Sequence, residues 1–164
     1  KTGNMTKVYW CVVSGETPNH FQCDESMGPE TDHPTRQKCG SGKTALTHFR
    51  RLDSHNGYSL LEALPQTGRT HQIRCHLAHA GWPILGDRLY SKADTTDNSP
   101  QKRQLLHAVQ ITFRHPQRGP MTTTAPPPDD FVSACKQLNL QLPDVDSHSK
   151  EGDCADINVV KETK

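Results

Sequence analysis

An α+β fold is predicted by three features of this 164-residue chain. Four stretches carry the β-branched or alternating pattern of strands, and only two carry helical spacing. The helices follow runs of strands instead of alternating with them one for one. The length suffices for one domain with its own core.

The first strand is Lys7 to Val13, rich in β-branched and aromatic residues and ended by Ser14-Gly15. Glu16 to Lys43 is polar and dotted with Gly and Pro, which predicts a long loop or an irregular hairpin excursion. Thr44 to Arg51 and Tyr58 to Leu64 read as two more strands. Asp53 to Gly57 is the turn between them, with Asn56-Gly57 its strongest signal. A helix is expected from about Thr70 to Ala80. Ile73, Leu77 and Ala80 form its buried stripe, Thr70 is its cap, and Gly81 with Pro83 ends it. Lys92 to Gln104 is a polar loop. Leu105 to Arg114 alternates as a half-buried strand with Val109, Ile111 and Phe113 on one side. Pro127 to Leu140 reads as a short helix, with Asp129 near its start and Phe131, Cys135 and Leu138 on one face. Past Leu142 the hydrophobic pattern stops. The expected division is a domain over 1–142 and a polar, disordered tail over 143–164.

Hydrophobic residues make up 32% of the chain and aromatic residues 5%, so either the core is small or part of the chain is unstructured. The net charge of +1 creates no global positive field, so any nucleic-acid contact must come from a local basic cluster. None of the six cysteines forms a Cys-x-x-Cys pair; Cys11, Cys75 and Cys135 sit in apolar contexts and read as buried small hydrophobes. With no secretory segment at its start and no apolar run long enough for a bilayer, the chain reads as reduced, intracellular and without a membrane partner. It starts at Lys1, so it is expected to be a processed product or a piece of something longer.

Two patterns are decoys. Gly40-Ser41-Gly42-Lys43-Thr44 matches the end of a phosphate-binding loop, but Gln37 stands where another glycine is needed, and a flexible glycine turn is expected. Cys23, His33 and Cys39 lack the paired spacing of a zinc site, while His76 and His79 have no third ligand; no metal is expected.

The most specific stretch runs from Pro65-Gln66-Thr67-Gly68-Arg69-Thr70-His71-Gln72-Ile73-Arg74-Cys75-His76-Leu77 to Gly81-Trp82-Pro83-Ile84-Leu85-Gly86-Asp87-Arg88-Leu89-Tyr90. It resembles the third motif of the RluA-type pseudouridine synthases, which isomerise uridine in RNA. The resemblance extends from about Lys7 to Phe131. It implies a mixed, largely antiparallel sheet with flanking helices, of which this chain is the C-terminal part of the catalytic domain.

The reaction such enzymes perform needs a carboxylate nucleophile, a cation to hold and orient it, an aromatic platform for the detached base, and no cofactor. The resemblance makes Arg74 the partner of that carboxylate, Tyr9 the residue that stacks on uracil, and Leu106 an apolar wall of the pocket. In isolation these residues also read as a surface arginine, a sheet-face tyrosine and a core leucine. Arg69 and His71, at the mouth of the helix, and Lys7 are the RNA-contact candidates. A solvated charge or an internally bonded histidine is the alternative for each. Asp87 is assigned a structural role as an acceptor in the turn after the helix.

The family's nucleophilic aspartate, in an Arg-Leu-Asp context followed by Thr-Ser-Gly, is missing. Arg51-Leu52-Asp53 is followed by Ser54-His55-Asn56-Gly57, and Asp53 reads as a turn residue. The reading is therefore an RNA pseudouridine synthase acting on ribosomal or transfer RNA. Its acid would come from residues before Lys1 or from another polypeptide, and the isolated chain is expected to be inactive. The alternative is a non-catalytic RNA-binding relative serving as an assembly or ribosome-associated factor.

Overall fold

The computed structural model describes residues 5–91, 101–145 and 158–159. In chain order its elements are β1 (Thr6–Ser14), β2 (His20–Cys23), β3 (Met27–Pro29), β4 (Gln37–Cys39), β5 (Thr47–His55), β6 (Tyr58–Pro65), α1 (Gln72–His79), β7 (Leu106–His115), β8 (Gly119–Thr124), α2 (Asp129–Gln137) and β9 (Asn158–Val159). Seven strands form one sheet in the order β8-β7-β1-β6-β5-β2-β9, and β3 with β4 makes a separate ribbon. Among the described strands, only the β2–β9 pairing is parallel. The fold is thus α+β, on a mixed and largely antiparallel sheet. The tail expected over 143–164 falls mostly outside the described residues; within it, Asn158–Val159 lies beside β2.

Side-chain alternation along β1 separates two layers. Val8, Trp10 and Val12 point to one face, where Leu60, Val109 and the Phe131, Ala134 and Cys135 face of α2 cover them. Cys11 and Val13 point to the other, where Phe21, Phe49, Leu61, Ala63 and the Ile73 and Leu77 face of α1 pack. A third cluster of Met27, Cys39, Ala45, Cys75 and Tyr90 fills the space between the ribbon and the far side of α1. Helix α1 is therefore sandwiched: Cys75 is buried as expected, beside the expected Ile73 and Leu77, Gln72 and His76 are buried as well, and Ala80 is only half-buried.

Several local expectations need correction. The Glu16–Lys43 stretch holds a sheet strand, β2, as well as the hairpin ribbon. Strand β8 has no apolar alternation in Gly119–Thr124 to announce it, and it forms because β7 offers it a ladder. Asp53 lies inside β5, past a register shift between Arg51 and Asp53. Its carboxylate accepts from the Ser54 and Gln141 amides at 2.8 and 2.6 Å. Asn56 and Gly57, at φ 48 and 78, make the turn on their own. A second slip, at Val109, interrupts the alternation of β7, so Val109 is buried while Ile111 and Phe113 are half-buried. Thr70 does not cap α1: His71 precedes the helix at φ 54 and no side chain caps it. The C-terminus follows the expected rule. Gly81 takes φ 86, its amide donates to the Ala78 carbonyl, and the Trp82 amide donates to that of Leu77. The glycine turn expected at 40–44 is also present, where a Cβ on Gly42 would meet the Met27 carbonyl oxygen at 2.3 Å.

A buried polar chain ties α1 to β5. The Thr67 hydroxyl donates to Gln72 Oε1 at 2.7 Å, and Gln72 Nε2 donates to Thr47 Oγ1 at 2.9 Å. Thr47 Oγ1 lies 3.0 Å from His76 Nδ1, and His76 Nε2 lies 3.1 Å from the Glu25 carbonyl. A carbonyl only accepts, so Nε2 carries the proton and Nδ1 accepts from Thr47. Burial holds the His76 pKa below its usual value, against the opposing pull of the Glu25 carbonyl. The unfolded chain therefore binds this proton first as pH falls, and the stability His76 contributes is complete above about pH 6.5 and lost below it. The melting temperature is expected to be level above neutrality and to fall on acidification, with a shallower fall in His76→Gln. An equal slope in that variant would assign the loss to other groups.

Candidate active site

Met5, Lys7 and Tyr9 are alternate residues of one extended segment, so all three project from the α1 face of the sheet. Leu106, opposite Cys11 in the neighbouring strand, projects from the same face. The loop 65–69 and the start of α1 close the far side. The result is an open hollow of about 950 Å³ lined by Lys7, Tyr9, Arg69, His71, Arg74 and Leu106, with Met5, Ile73 and the Pro65–Gly68 loop completing it. The six residues singled out in the sequence are thus brought together, each half-buried.

Arg74 is the most constrained of them. Its Nε and Nη2 donate to Asp87 Oδ2 and Oδ1 at 2.7 and 2.8 Å, a parallel two-bond fork. The Asp87 side chain is wholly buried, and that of Arg74 is 13% exposed. Asp87 Oδ1 also accepts from the Leu89 and Tyr90 amides, so the turn and the fork share one carboxylate. Tyr90 backs the guanidinium, its ring centroid 5.1 Å from Cζ. Nη1 has no hydrogen-bond partner among the described residues.

His71 Nδ1 lies 3.3 Å from the Tyr90 hydroxyl, which accepts from the Gln37 amide at 2.9 Å. The hydroxyl then donates to His71. Burial, followed by repulsion from Arg74, holds the imidazole below its usual pKa, with Asp87 opposing. Neutral His71 accordingly turns an Nε2–H donor away from Tyr90. Arg69 Nε donates to the Thr44 carbonyl at 3.1 Å. Gln72 Oε1 accepts from the Arg69 amide at 3.0 Å and fixes the loop that carries it. Burial raises the Tyr9 pKa, so the phenol stays neutral and its ring is available as an apolar platform.

Gln72, which holds the loop, and Tyr90, which supports Arg74, carry no signal in the sequence that marks them for the site. Asp87 is legible there as an acceptor in the turn, but not as the carboxylate that grips Arg74. No local pattern announces such a partnership, because the two residues are brought together only by the turn after α1. Asp53 bonds to Gln141 and does not line the hollow. Among the described residues, no Asp or Glu lines it. Among the described residues, no three His, Cys, Asp or Glu side chains converge as a metal site, and no helix is long and apolar enough to cross a membrane.

The fold is that of a pseudouridylate synthase domain. The human protein named RNA pseudouridylate synthase domain containing 1 superposes with a TM-score of 0.67 at 23% identity, over 74% of this chain and 54% of that one. The sequence profile described as RNA pseudouridylate synthase matches residues 1–79. An uncharacterized RNA pseudouridine synthase of Chloroflexus aurantiacus is 39% identical over 136 residues, 82% of this chain and 42% of that protein. Ribosomal large subunit pseudouridine synthase D of Haemophilus ducreyi is 36% identical over 149 residues, 82% of this chain and 45% of that protein. The chain belongs to the RluA-type family of RNA pseudouridine synthases. It spans less than half the length of these two relatives.

Proposed function

We propose that this chain supplies the base-binding wall and the orienting cation of an RNA pseudouridine synthase acting inside the cell, and that the nucleophilic carboxylate comes from outside these 164 residues. The observation that carries this reading is a hollow that holds Arg74, Tyr9 and Leu106 together, is edged by Lys7, Arg69 and His71, and has no acid among the described residues that line it.

The chemistry follows from that inventory. The basic rim suits the phosphodiester on either side of an extruded uridine, in ribosomal or transfer RNA. Tyr9 offers a neutral ring for the base, and Leu106 closes the pocket against water. Arg74, aligned by Asp87, keeps one nitrogen free for an incoming carboxylate, which its charge would hold ionised in a desolvated site. That acid bonds to the ribosyl carbon as the glycosidic C–N bond breaks. The base turns and attacks the same ribosyl carbon through its own carbon, and the bond to the acid breaks and frees the carboxylate. The proton lost from the base carbon is balanced by one gained on the released ring nitrogen. None of these steps calls for a cofactor.

The absence of an acid among the described lining residues also favours one rival, a non-catalytic relative that binds RNA through the same rim. The test is an assay for pseudouridine in RNA incubated with the isolated chain and with the gene product that carries it. No isomerisation is expected from the isolated chain. Turnover is expected from the gene product, together with an Arg-Leu-Asp segment followed by Thr-Ser-Gly before Lys1. Turnover by the isolated chain would overturn the external nucleophile. RNA binding without turnover by the gene product would establish the rival.

A further inference from the structure

Cys39 ends β4 and Cys75 sits within α1, and their Sγ atoms lie 3.3 Å apart in direct contact. Cys75 Sγ donates to the Gln37 carbonyl at 3.4 Å, so the thiol proton between the two sulfurs belongs to Cys39. That hydrogen bond holds the Cys75 thiol below its usual range despite burial, with Arg36 adding to the effect. The same bond, with burial, pushes Cys39 up. One thiol is therefore prepared to ionise and attack, and the other is in place to follow. Neither lines the hollow, and the proposed activity uses neither.

We propose that Cys39 and Cys75 are an oxidisable pair that a small hydroperoxide converts to a disulfide, pinning the β3–β4 ribbon to α1. The Cys75 thiolate attacks a peroxide oxygen, the O–O bond breaks, and Cys75 becomes a sulfenic acid as hydroxide takes up the thiol proton to leave as water. Cys39 then loses its proton and attacks Cys75 Sγ. The S–S bond forms, and the sulfenic oxygen leaves as a second water. Two thiols have lost two electrons, and one hydrogen peroxide has become two waters. Closing the sulfurs to bonding distance takes a movement on the order of 1 Å. The oxidant must be small, because Cys39 and Cys75 are only 9% and 4% exposed. The linkage would act close to the site: the Gln37 amide of the same ribbon holds the Tyr90 hydroxyl, and the Tyr90 ring backs Arg74.

The test uses the reduced 164-residue chain, hydrogen peroxide, alkylation of the remaining thiols and trypsin. Fragments 39–43 and 75–88 each contain a single cysteine. They are expected to be recovered joined, lighter than their sum by two hydrogens. In Cys39→Ser the sulfenic acid should persist at Cys75 and be captured by dimedone. Recovery of both fragments alkylated and separate would overturn the proposal. So would Cys75 joined to Cys23, or a Cys39→Ser chain with no dimedone adduct at Cys75. The readout is covalent and independent of RNA chemistry, so its failure would leave the proposed activity standing.

Discussion

Replacing Arg74 with lysine in the gene product that carries this chain is expected to lower the rate of uridine isomerisation by about 100-fold or more, with RNA affinity nearly unchanged. The substitution keeps the positive charge, so any role as a phosphate contact survives, and the salt dependence of binding with it. What it removes is shape. The guanidinium spends Nε and Nη2 on Asp87 at 2.7 and 2.8 Å and still has Nη1 to present to a second carboxylate. An ammonium is a point charge on a flexible stem and cannot hold two acids on two defined edges. The loss should appear in kcat more than in KM, as it does when an interaction matters mainly in the transition state. Single-turnover assays beside filter-binding titrations across a range of salt would measure both. Parallel losses of rate and affinity would show that Arg74 grips the backbone of the RNA and does not orient an acid.

The positions that make this experiment worth doing were readable in the sequence because they rest on local rules. Lys7 and Tyr9 share a face through strand alternation, Arg69 and His71 sit at a helix mouth, and Gly81 stops the helix one residue after its C-cap. The long resemblance to the family's third motif is what suggests the roles proposed for them. What stayed hidden depends on neighbours distant in the chain. Strand β8 has no pattern of its own and borrows its ladder from β7. The left-handed His71 replaces a Thr70 cap because the loop before α1 is held by the Gln72 side chain bonding back to the Arg69 amide. The unexpected burial of Gln72 and His76 comes from Thr47 of β5, which both side chains bond, and for His76 also from the Glu25 carbonyl just before the ribbon, in a segment the sequence shows only as a polar, Gly- and Pro-dotted excursion.

Removing Asp87 is expected to produce the largest loss of stability of any single change near the site. Asp87→Ala should cost about 3–5 kcal/mol, because it leaves a guanidinium with little solvent and no counter-charge. For a domain of this size that is a fall of roughly 10 °C or more in melting temperature. The Leu89 and Tyr90 amides lose their acceptor in the same step. Asp87→Asn separates the two effects. Its Oδ1 can still accept from both amides, but its NH2 group would confront an arginine N–H, donor against donor. It should therefore fall between wild type and Asp87→Ala. The informative variant is the double one, Arg74→Met with Asp87→Asn. It retains the turn and buries no charge, and neutral replacement of a buried ion pair often restores stability that either single change loses. Thermal melts of the single and double variants should show a coupling of about 1–3 kcal/mol. The double variant should then be folded, bind RNA, and have no isomerase activity. That combination would separate the architectural work of the Arg74–Asp87 pair from the chemical work of the guanidinium. Strictly additive losses would show that the two side chains do not depend on each other, and the alignment of Arg74 would need another explanation.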